Sequence, residues 1–184
     1  MEGKLNAGGR KNMAFEKGNK ADGNHYWLTP PELFDDLNNQ YEFDFDPCPY
    51  PKPHEFDGLK AEWGDSNYVN PPFGSYTDLT DNKKKGPTAW AKKAIKEFQK
   101  GKRVVFVYPI DKWVLMMLES GAKVSNLGDI RWHSTETGEK GPGTGRHVAC
   151  FVLDPENFQR KTNIKLKGPN EIPSIKTDNQ QKLF

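Results

Sequence analysis

The feature that most constrains the fold is a continuous apolar run, Val104-Val105-Phe106-Val107, which follows a helical pattern. A run of β-branched and aromatic residues without polar alternation is typical of a strand that is covered on both faces. Such a strand needs a layer on each side of its sheet, so the run predicts a layered α/β domain. The 184 residues are enough for one ordinary domain but not for two full cores.

Helical and strand patterns alternate along the chain. Thr29 as N-cap, Pro30 at the first helical position and Glu32 two residues later form a capping box. Hydrophobic periodicity, together with the positions of Gly and Pro, predicts helices over about 30–39, 88–100 and 111–119. Strands are predicted within 41–46, 67–69, 104–107, 122–132 and 147–153, and loops over 75–87 and 134–146. No helical segment joins the last two strands, which favours an antiparallel pair at the sheet edge.

These patterns predict a three-layer α/β fold with a small, mostly parallel sheet and an antiparallel edge hairpin. Residues 1–24 are rich in Gly, Asn and Lys and have no apolar period, so we expect a flexible N-terminal arm. The folded domain is expected over 25–158, and 159–184 is expected to be a basic C-terminal tail.

Composition narrows the cellular setting. No run of 18 apolar residues is present, and the first 20 residues contain no apolar segment of the kind found in signal peptides. Two cysteines, Cys48 and Cys150, are too few for a disulfide-rich scaffold. We therefore predict a cytoplasmic protein with reduced thiols and no membrane partner.

Charge is distributed unevenly although the chain as a whole carries only +2. Residues 32–65 hold ten acids and two lysines, whereas residues 83–103 hold nine basic residues and one Glu. Such stretches are usually solvated surfaces. The alternative interpretation is a polyanion-binding side next to an acidic pocket for a cation.

The tetrapeptide Asn70-Pro71-Pro72-Phe73 carries the most chemical information. It follows a predicted strand, which is where α/β sheets place their ligands. Two prolines stiffen the backbone and remove two donors, so the Asn side chain and nearby carbonyls accept hydrogen bonds. A flat ring with an amino group fits this arrangement, with Phe73 stacking on it. A rigid turn with a core Phe is the alternative.

Several motifs in order resemble the phage-type DNA adenine-N6 methyltransferases, which use S-adenosylmethionine. They cover about residues 26–153 and comprise Trp27-x-Thr29-Pro30, Phe43-Asp44-Phe45-Asp46-Pro47-Cys48, Asp57-Gly58-Leu59 with Trp63, Asn70-Pro71-Pro72-Phe73, Trp90 and Arg131-Trp132. The resemblance implies a compact Rossmann-like methyltransferase fold. It departs from the usual pattern because Asp46-Pro47-Cys48-Pro49 stands where a Gly-x-Gly turn is frequent.

The resemblance also implies roles for individual residues. Catalysis would fall to Asn70, Pro71, Pro72 and Phe73, and cofactor binding to Trp27, Thr29, Pro30, Asp46, Pro47, Cys48, Asp57 and Asn70. Asp46 would hold the cationic amino-acid part of the cofactor, and Asp57 would accept a hydrogen bond from its adenine. Tyr26 and Trp27 fit a core role equally well. No metal site is expected, because Cys48 and His54 have no second ligand pair.

Double-stranded DNA with a flipped adenine is the implied partner. Its phosphates would be contacted by Lys83, Lys84, Lys85, Lys92, Lys93 and Arg146. The protein would act as a monomer or homodimer, in the host cytoplasm if it is phage-encoded. Three alternative acceptors remain open, namely cytosine N4, RNA adenine and a glutamine amide. An inactive DNA-binding module of the same fold is the remaining alternative.

Overall fold

The computed structural model describes residues 26–78, 80–143 and 145–159. Its elements, in chain order, are β1 (Trp27–Leu28), α1 (Pro31–Tyr41), β2 (Ser66–Val69), β3 (Tyr76–Asp78), β4 (Lys83–Lys85), α2 (Pro87–Gln99), β5 (Arg103–Pro109), α3 (Val114–Glu119), β6 (Lys123–Gly128), β7 (His133–Ser134), β8 (Val148–Leu153) and α4 (Pro155–Gln159). The predicted arm over 1–24, and the predicted tail beyond residue 159, lie outside the described residues.

The main sheet is mixed, with the strand order β2-β5-β8-β6. β2 and β5 are parallel, whereas β8 runs antiparallel to both of its neighbours, β5 and β6. The prediction of an α/β domain is confirmed, but the expectation of a mostly parallel sheet is wrong. The reason is that β8 returns between β5 and β6, and this leaves one parallel pairing among the named strands of the sheet.

Strand β5 is central and buried on both faces, as the apolar run predicted. Val104 and Phe106 face a core shared with α2 and α3, and this core includes Trp90 and Trp113. Val105 and Val107 face the opposite core, which contains residues of α1 together with Ile130 and Trp132. The sheet is therefore covered on both sides, which confirms the three-layer arrangement.

Helix α1 begins differently from the predicted capping box. Pro30 is the N-cap, Pro31 follows at the first helical position, and no side chain caps the helix. The hydroxyl of Thr29 instead pairs with the hydroxyl of Tyr68 and lies near the Asn70 side chain. The Thr29 capping prediction is wrong because tertiary partners take this hydroxyl.

The predicted strand over 41–46 is largely absent. Helix α1 continues through Tyr41, and Glu42 closes it in the left-handed conformation with φ 49°. The side-chain oxygen of Asn38 then accepts the backbone N–H of Phe43 at 2.9 Å. This helix ending uses the residues that alternation had assigned to a strand.

Asp44 replaces much of the missing strand pairing. Its two carboxylate oxygens accept the backbone N–H groups of Asp65 and Ser66, each at 3.0 Å. A single parallel bridge, between Phe45 and Asn67, remains from the predicted strand. The segment therefore still lies beside β2 and delivers Asp46 to the same edge of the sheet.

A β-hairpin occupies much of the predicted polar loop over 75–87. Strands β3 and β4 pair antiparallel, with Asp78 opposite Lys83. Asp78 accepts hydrogen bonds from the backbone and hydroxyl of Thr80, at 2.9 and 2.6 Å, and these contacts lower the pKa of Asp78 to about 2. Polar side-chain contacts stabilise the turn side of this hairpin, so hydrophobic patterning did not indicate it.

Glu97 on α2 is a buried acid that is compensated by three lysines. Its side chain is 1% exposed, and its carboxylate lies 2.9 Å from Lys93, 2.8 Å from Lys100 and 3.3 Å from Lys102. Burial by itself would raise the pKa of Glu97, but hydrogen bonds from Lys100 and Lys93 lower it to about 2. The cluster joins the end of α2 to the start of β5.

Replacing Glu97 with Gln should destabilise the fold by about 2 kcal/mol at pH 7, because three ammonium groups lose their counter-charge. The native pKa lies below the usual value, so this stabilisation is present above about pH 4.5 and is lost as pH falls towards 2. Urea unfolding across this pH range measures the difference. Glu62→Gln is the matched control, since Glu62 is 86% exposed and only 3.7 Å from Lys102. Equal losses in both variants would contradict the assignment.

Candidate functional site

The candidate site lies where the parallel strands β2 and β5 end. Asn70 directly follows β2, and Tyr108 lies near the carboxyl end of β5. Two short strands, β1 and β7, pair antiparallel beside this edge, with Trp27 opposite Ser134 and Leu28 opposite His133. Ligands of α/β sheets bind at carboxyl ends of this kind.

The side-chain amide of Asn70 has a fixed orientation. Its nitrogen donates to the backbone carbonyl of Trp27 at 2.8 Å and to the hydroxyl of Thr29 at 3.2 Å. A carbonyl can only accept, so the NH2 end must face Trp27. The other end, Asn70 Oδ1, is buried and has no hydrogen-bond partner. An unpaired buried acceptor of this kind costs about 1–3 kcal/mol, which a ligand donor would recover.

The strand pair β1–β7 holds the Trp27 carbonyl in place. The loop that follows β7 returns so that a side chain at Gly141 would come within 2.6 Å of the Trp27 ring. The backbone N–H of Gly141 also donates to the carbonyl of Trp132 at 2.7 Å. Glycine is therefore required at 141, because a side chain there would prevent the backbone from approaching the Trp27 ring this closely.

A cavity of about 320 Å³ opens beside Asn70, between the start of α1 and the turn after Asp46. Aromatic rings form much of its wall, contributed by Tyr26, Trp27, Phe34, Tyr50 and Tyr68. Its polar lining residues are Thr29, Asp35, Asp46, Cys48 and Asn70. A cavity with apolar walls and a few convergent polar groups is typical of a small-molecule site.

Asp46 is a carboxylate in the cavity wall, and no basic side chain in the described part of the chain pairs with it. Burial raises its pKa from 3.8 to about 6, although the backbone N–H of Cys48 donates to it at 2.7 Å and opposes this rise. Burial also raises the pKa of the Cys48 thiol, which keeps it neutral. An ionised Asp46 would be stabilised by a bound cation.

The motif Asp57-Gly58-Leu59 has a structural role. Asp57 accepts the backbone N–H of Leu59 at 3.0 Å and lies 3.3 Å from Lys60, and it does not line the cavity. A side chain at Gly58 would collide with the carbonyl of Pro47. The carbonyl of Gly58 accepts the indole N–H of the buried Trp63 at 2.7 Å. This turn supports the Asp46-Pro47 segment from behind.

Phe73 is half-buried and supported by two rings. Its centroid lies 5.0 Å from that of Tyr108, at 32°, and 5.1 Å from that of Trp132 in an edge-on arrangement. The Tyr108 hydroxyl donates to the carbonyl of Pro72 at 3.3 Å. Tyr108 and Trp132 thus hold the turn after β2 in place, and Phe73 packs against the core and does not line the cavity.

The structure brings together most of the predicted cofactor-binding residues. Trp27, Thr29, Asp46, Cys48 and Asn70 line one cavity, whereas Pro30, Pro47 and Asp57 do not line it. Sequence reasoning did not assign Tyr50, Asp35 or Tyr68 to this site. The available signal for Tyr50 was its position in the proline-rich turn four residues after Asp46.

The predicted DNA-contacting residues separate into two groups. Lys83, Lys84, Lys92 and Arg146 are exposed. Lys85 instead lies 2.6 Å from Asp81. Lys93 is the most strongly engaged, because it pairs with Glu97, donates to the carbonyl of Ala61 at 2.9 Å and lies over the Trp63 ring.

Within residues 26–78, 80–143 and 145–159, no group of three or more His, Cys, Asp or Glu side chains is arranged to hold a metal ion. None of the helices in these ranges has the length and apolar character needed to cross a membrane.

Comparison of the chain with models of known protein families, with curated proteins and with solved structures finds no match.

Asp46→Asn should stabilise the folded state by about 2 kcal/mol at pH 8, since it removes a charge that burial disfavours. The native pKa of Asp46 is raised, so the wild type loses stability as pH increases from about 4 to about 6. The gain should therefore be small at pH 4, and urea unfolding at the two pH values measures it. Asp36→Asn, at an exposed position on α1, is the control and should change stability little at either pH. A loss of stability in Asp46→Asn at pH 8 would contradict this account.

Proposed function

We propose that the protein transfers a methyl group from S-adenosylmethionine to the N6 amino group of adenine in DNA. The observation that carries the proposal is the unpaired, buried Oδ1 of Asn70, held in place by the Trp27 carbonyl. An acceptor fixed in this way suits an amino group on a flat ring. The Rossmann-like methyltransferase fold is part of the same proposal, supported by the parallel β2–β5 pair with layers on both sides.

The residues of the cavity fit S-adenosylmethionine. The cavity volume of about 320 Å³ is in the range of small-molecule sites, roughly 300–1,000 Å³. Asp46 would hold the ammonium group of the cofactor, and the aromatic wall would contact its nucleoside part. When bound, the cofactor supplies a methyl group on a positively charged sulfur. Pro30 and Pro31 lack backbone N–H groups, so the start of α1 offers fewer donors to the cofactor carboxylate than an ordinary helix.

Asn70 performs the central task in this mechanism. Its Oδ1 accepts one hydrogen of the target amino group, and the carbonyl of Pro71 is the second acceptor. The Pro72 carbonyl is already engaged by the Tyr108 hydroxyl. Two acceptors in the plane of the amino hydrogens draw the nitrogen lone pair out of conjugation with the ring and so make it nucleophilic. No strong base is needed, because the methylated nitrogen carries a positive charge and loses its proton readily.

Phe73 and the exposed lysines position the DNA. A flipped adenine would stack on Phe73, whose ring is braced by Tyr108 and Trp132. The exposed Lys83, Lys84 and Lys92 would contact phosphates. Orientation of this kind contributes much of the rate enhancement in direct transfer reactions.

Asn70→Ala should lower the methylation rate by roughly 10²–10³-fold, because it removes a preorganised acceptor. The wild type and the variant are each expressed in a bacterium without adenine methylation, and N6-methyladenine in the hydrolysed DNA is measured by mass spectrometry. Asn39→Ala is the matched control, since Asn39 is exposed on α1 and outside the cavity. Near wild-type methylation by Asn70→Ala would overturn the assignment.

The same hydrolysate tests the alternative acceptors. Asn70 Oδ1 can accept from any planar amino group, so N4-methylcytosine in DNA and N6-methyladenine in RNA are measured in parallel. A modified base other than N6-methyladenine in DNA would keep the mechanism and change the substrate. Binding of DNA without binding of S-adenosylmethionine, measured by calorimetry, would favour the inactive DNA-binding module.

Replacing Lys83 and Lys84 together with Ala should weaken DNA binding and make it less sensitive to salt. Each phosphate contact contributes about 1 to the slope of log affinity against log salt concentration, so the slope should fall by about 2. Fluorescence anisotropy with a labelled duplex measures the slope. Lys123→Ala, on the edge strand β6, is the control. An unchanged slope in the double variant would place DNA elsewhere on the surface.

A further inference from the structure

The described residues that line the cavity include acidic side chains but no basic ones. Asp35 and Asp46 are among its lining residues, together with five aromatic residues. No Lys, Arg or His is present among the described residues that line it. Carboxylates and aromatic faces both attract cations, so the cavity favours a positively charged ligand over a neutral one of the same shape.

Tyr50 is the exposed member of this aromatic wall. Its side chain is 42% exposed, and among the large exposed hydrophobic residues in the described part of the chain it is the one with an aromatic ring. Its ring centroid lies 6.0 Å from that of the buried Tyr26, at an interplanar angle of 42°. Tyr50 therefore combines support from the protein on one side with a surface available to a ligand.

We infer that the cavity binds the positively charged methyl donor more tightly than the neutral demethylated product, and that Tyr50 supplies much of the difference. This inference rests on the proposed function. In the reaction the bond between sulfur and methyl carbon breaks, and its electron pair stays on sulfur. A bond between the methyl carbon and the amino nitrogen forms, and this nitrogen releases a proton to solvent.

Donor and product therefore share their nucleoside and amino-acid parts and differ by one methyl group and one positive charge. Both compounds keep the ammonium group that Asp46 would hold, whereas only the donor carries a sulfonium charge that aromatic faces attract. Cation–π attraction of ordinary strength corresponds to a preference of roughly 2- to 30-fold. Such a preference would promote product release after each turnover.

The test is calorimetric titration of the full chain with three compounds. These are S-adenosylmethionine, S-adenosylhomocysteine, and an analogue in which a protonated secondary amine without a methyl group replaces the sulfonium. The first and third should bind at least about threefold more tightly than the second. The third compound separates the effect of charge from the effect of the methyl group.

Variants assign the preference to Tyr50. Tyr50→Leu should reduce the ratio of affinities towards one, Tyr50→Phe should keep it, and both should unfold near the wild-type urea concentration because the side chain is exposed. Leu115→Ala is the matched control, since Leu115 is 68% exposed and outside the cavity. It should leave all three affinities unchanged.

Each outcome has a distinct meaning. Binding of none of the three compounds would overturn the proposed function and the inference with it. Equal affinities, or tighter binding of the neutral product, would overturn the inference and leave the proposed function standing. A wild-type preference that survives in Tyr50→Leu would overturn the role of Tyr50.

Discussion

The hydrogen bond from the Asn70 side chain to the Trp27 carbonyl is the contact on which the candidate site depends. It joins two residues that are 43 positions apart at 2.8 Å. Through it the end of β2 is tied to the β1–β7 pair, and the amide is prevented from rotating. Without this bond, Asn70 could present either its NH2 group or its oxygen to a ligand. The Trp27 carbonyl thus determines which end of the Asn70 amide faces a ligand, although this carbonyl takes no part in the chemistry itself.

Two acidic residues in this domain have pKa values that are shifted in opposite directions. Glu97 has three lysines within 3.3 Å, its pKa falls to about 2, and it stabilises the junction of α2 with β5. Asp46 has a backbone N–H as its hydrogen-bond donor, its pKa rises to about 6, and its ionised form reduces the stability of the fold. Binding sites commonly contain such groups, because the missing partner is supplied by the ligand.

Sequence patterns predicted the elements whose stability comes from apolar burial. The run at Val104–Val107 and the closing strand through Leu153 both lie where they were expected. Prediction failed where polar side chains replace backbone pairing. The Asp44 carboxylate accepts hydrogen bonds from two backbone N–H groups that would otherwise donate to the carbonyls of a neighbouring strand. The Asp78 carboxylate accepts a hydrogen bond from Thr80 and so stabilises the turn between β3 and β4. Hydrophobic periodicity carries no information about either arrangement.

At the candidate site, too, motifs of consecutive residues could be predicted from the sequence, whereas contacts between distant residues could not. Asn70-Pro71-Pro72-Phe73 was recognisable because its chemistry lies within four consecutive residues. The partners of Asn70 were not, since Thr29 carries a local capping signal that its contact with Tyr68 overrides. Tyr50 joins the cavity through the path of the turn after Asp46, and spacing along the chain does not reveal that path.

The pairing of β1 with β7 makes the Trp27 carbonyl common to two parts of the molecule. Trp27 lies opposite Ser134 in this pair, and the glycine-rich loop over 134–146 begins at that residue. Any displacement of the pair away from the sheet lengthens the bond that orients Asn70. The loop and the amide are consequently not mechanically independent. Because Trp27 also lines the cavity, a molecule bound at the loop and a molecule bound in the cavity would influence each other reciprocally through this residue.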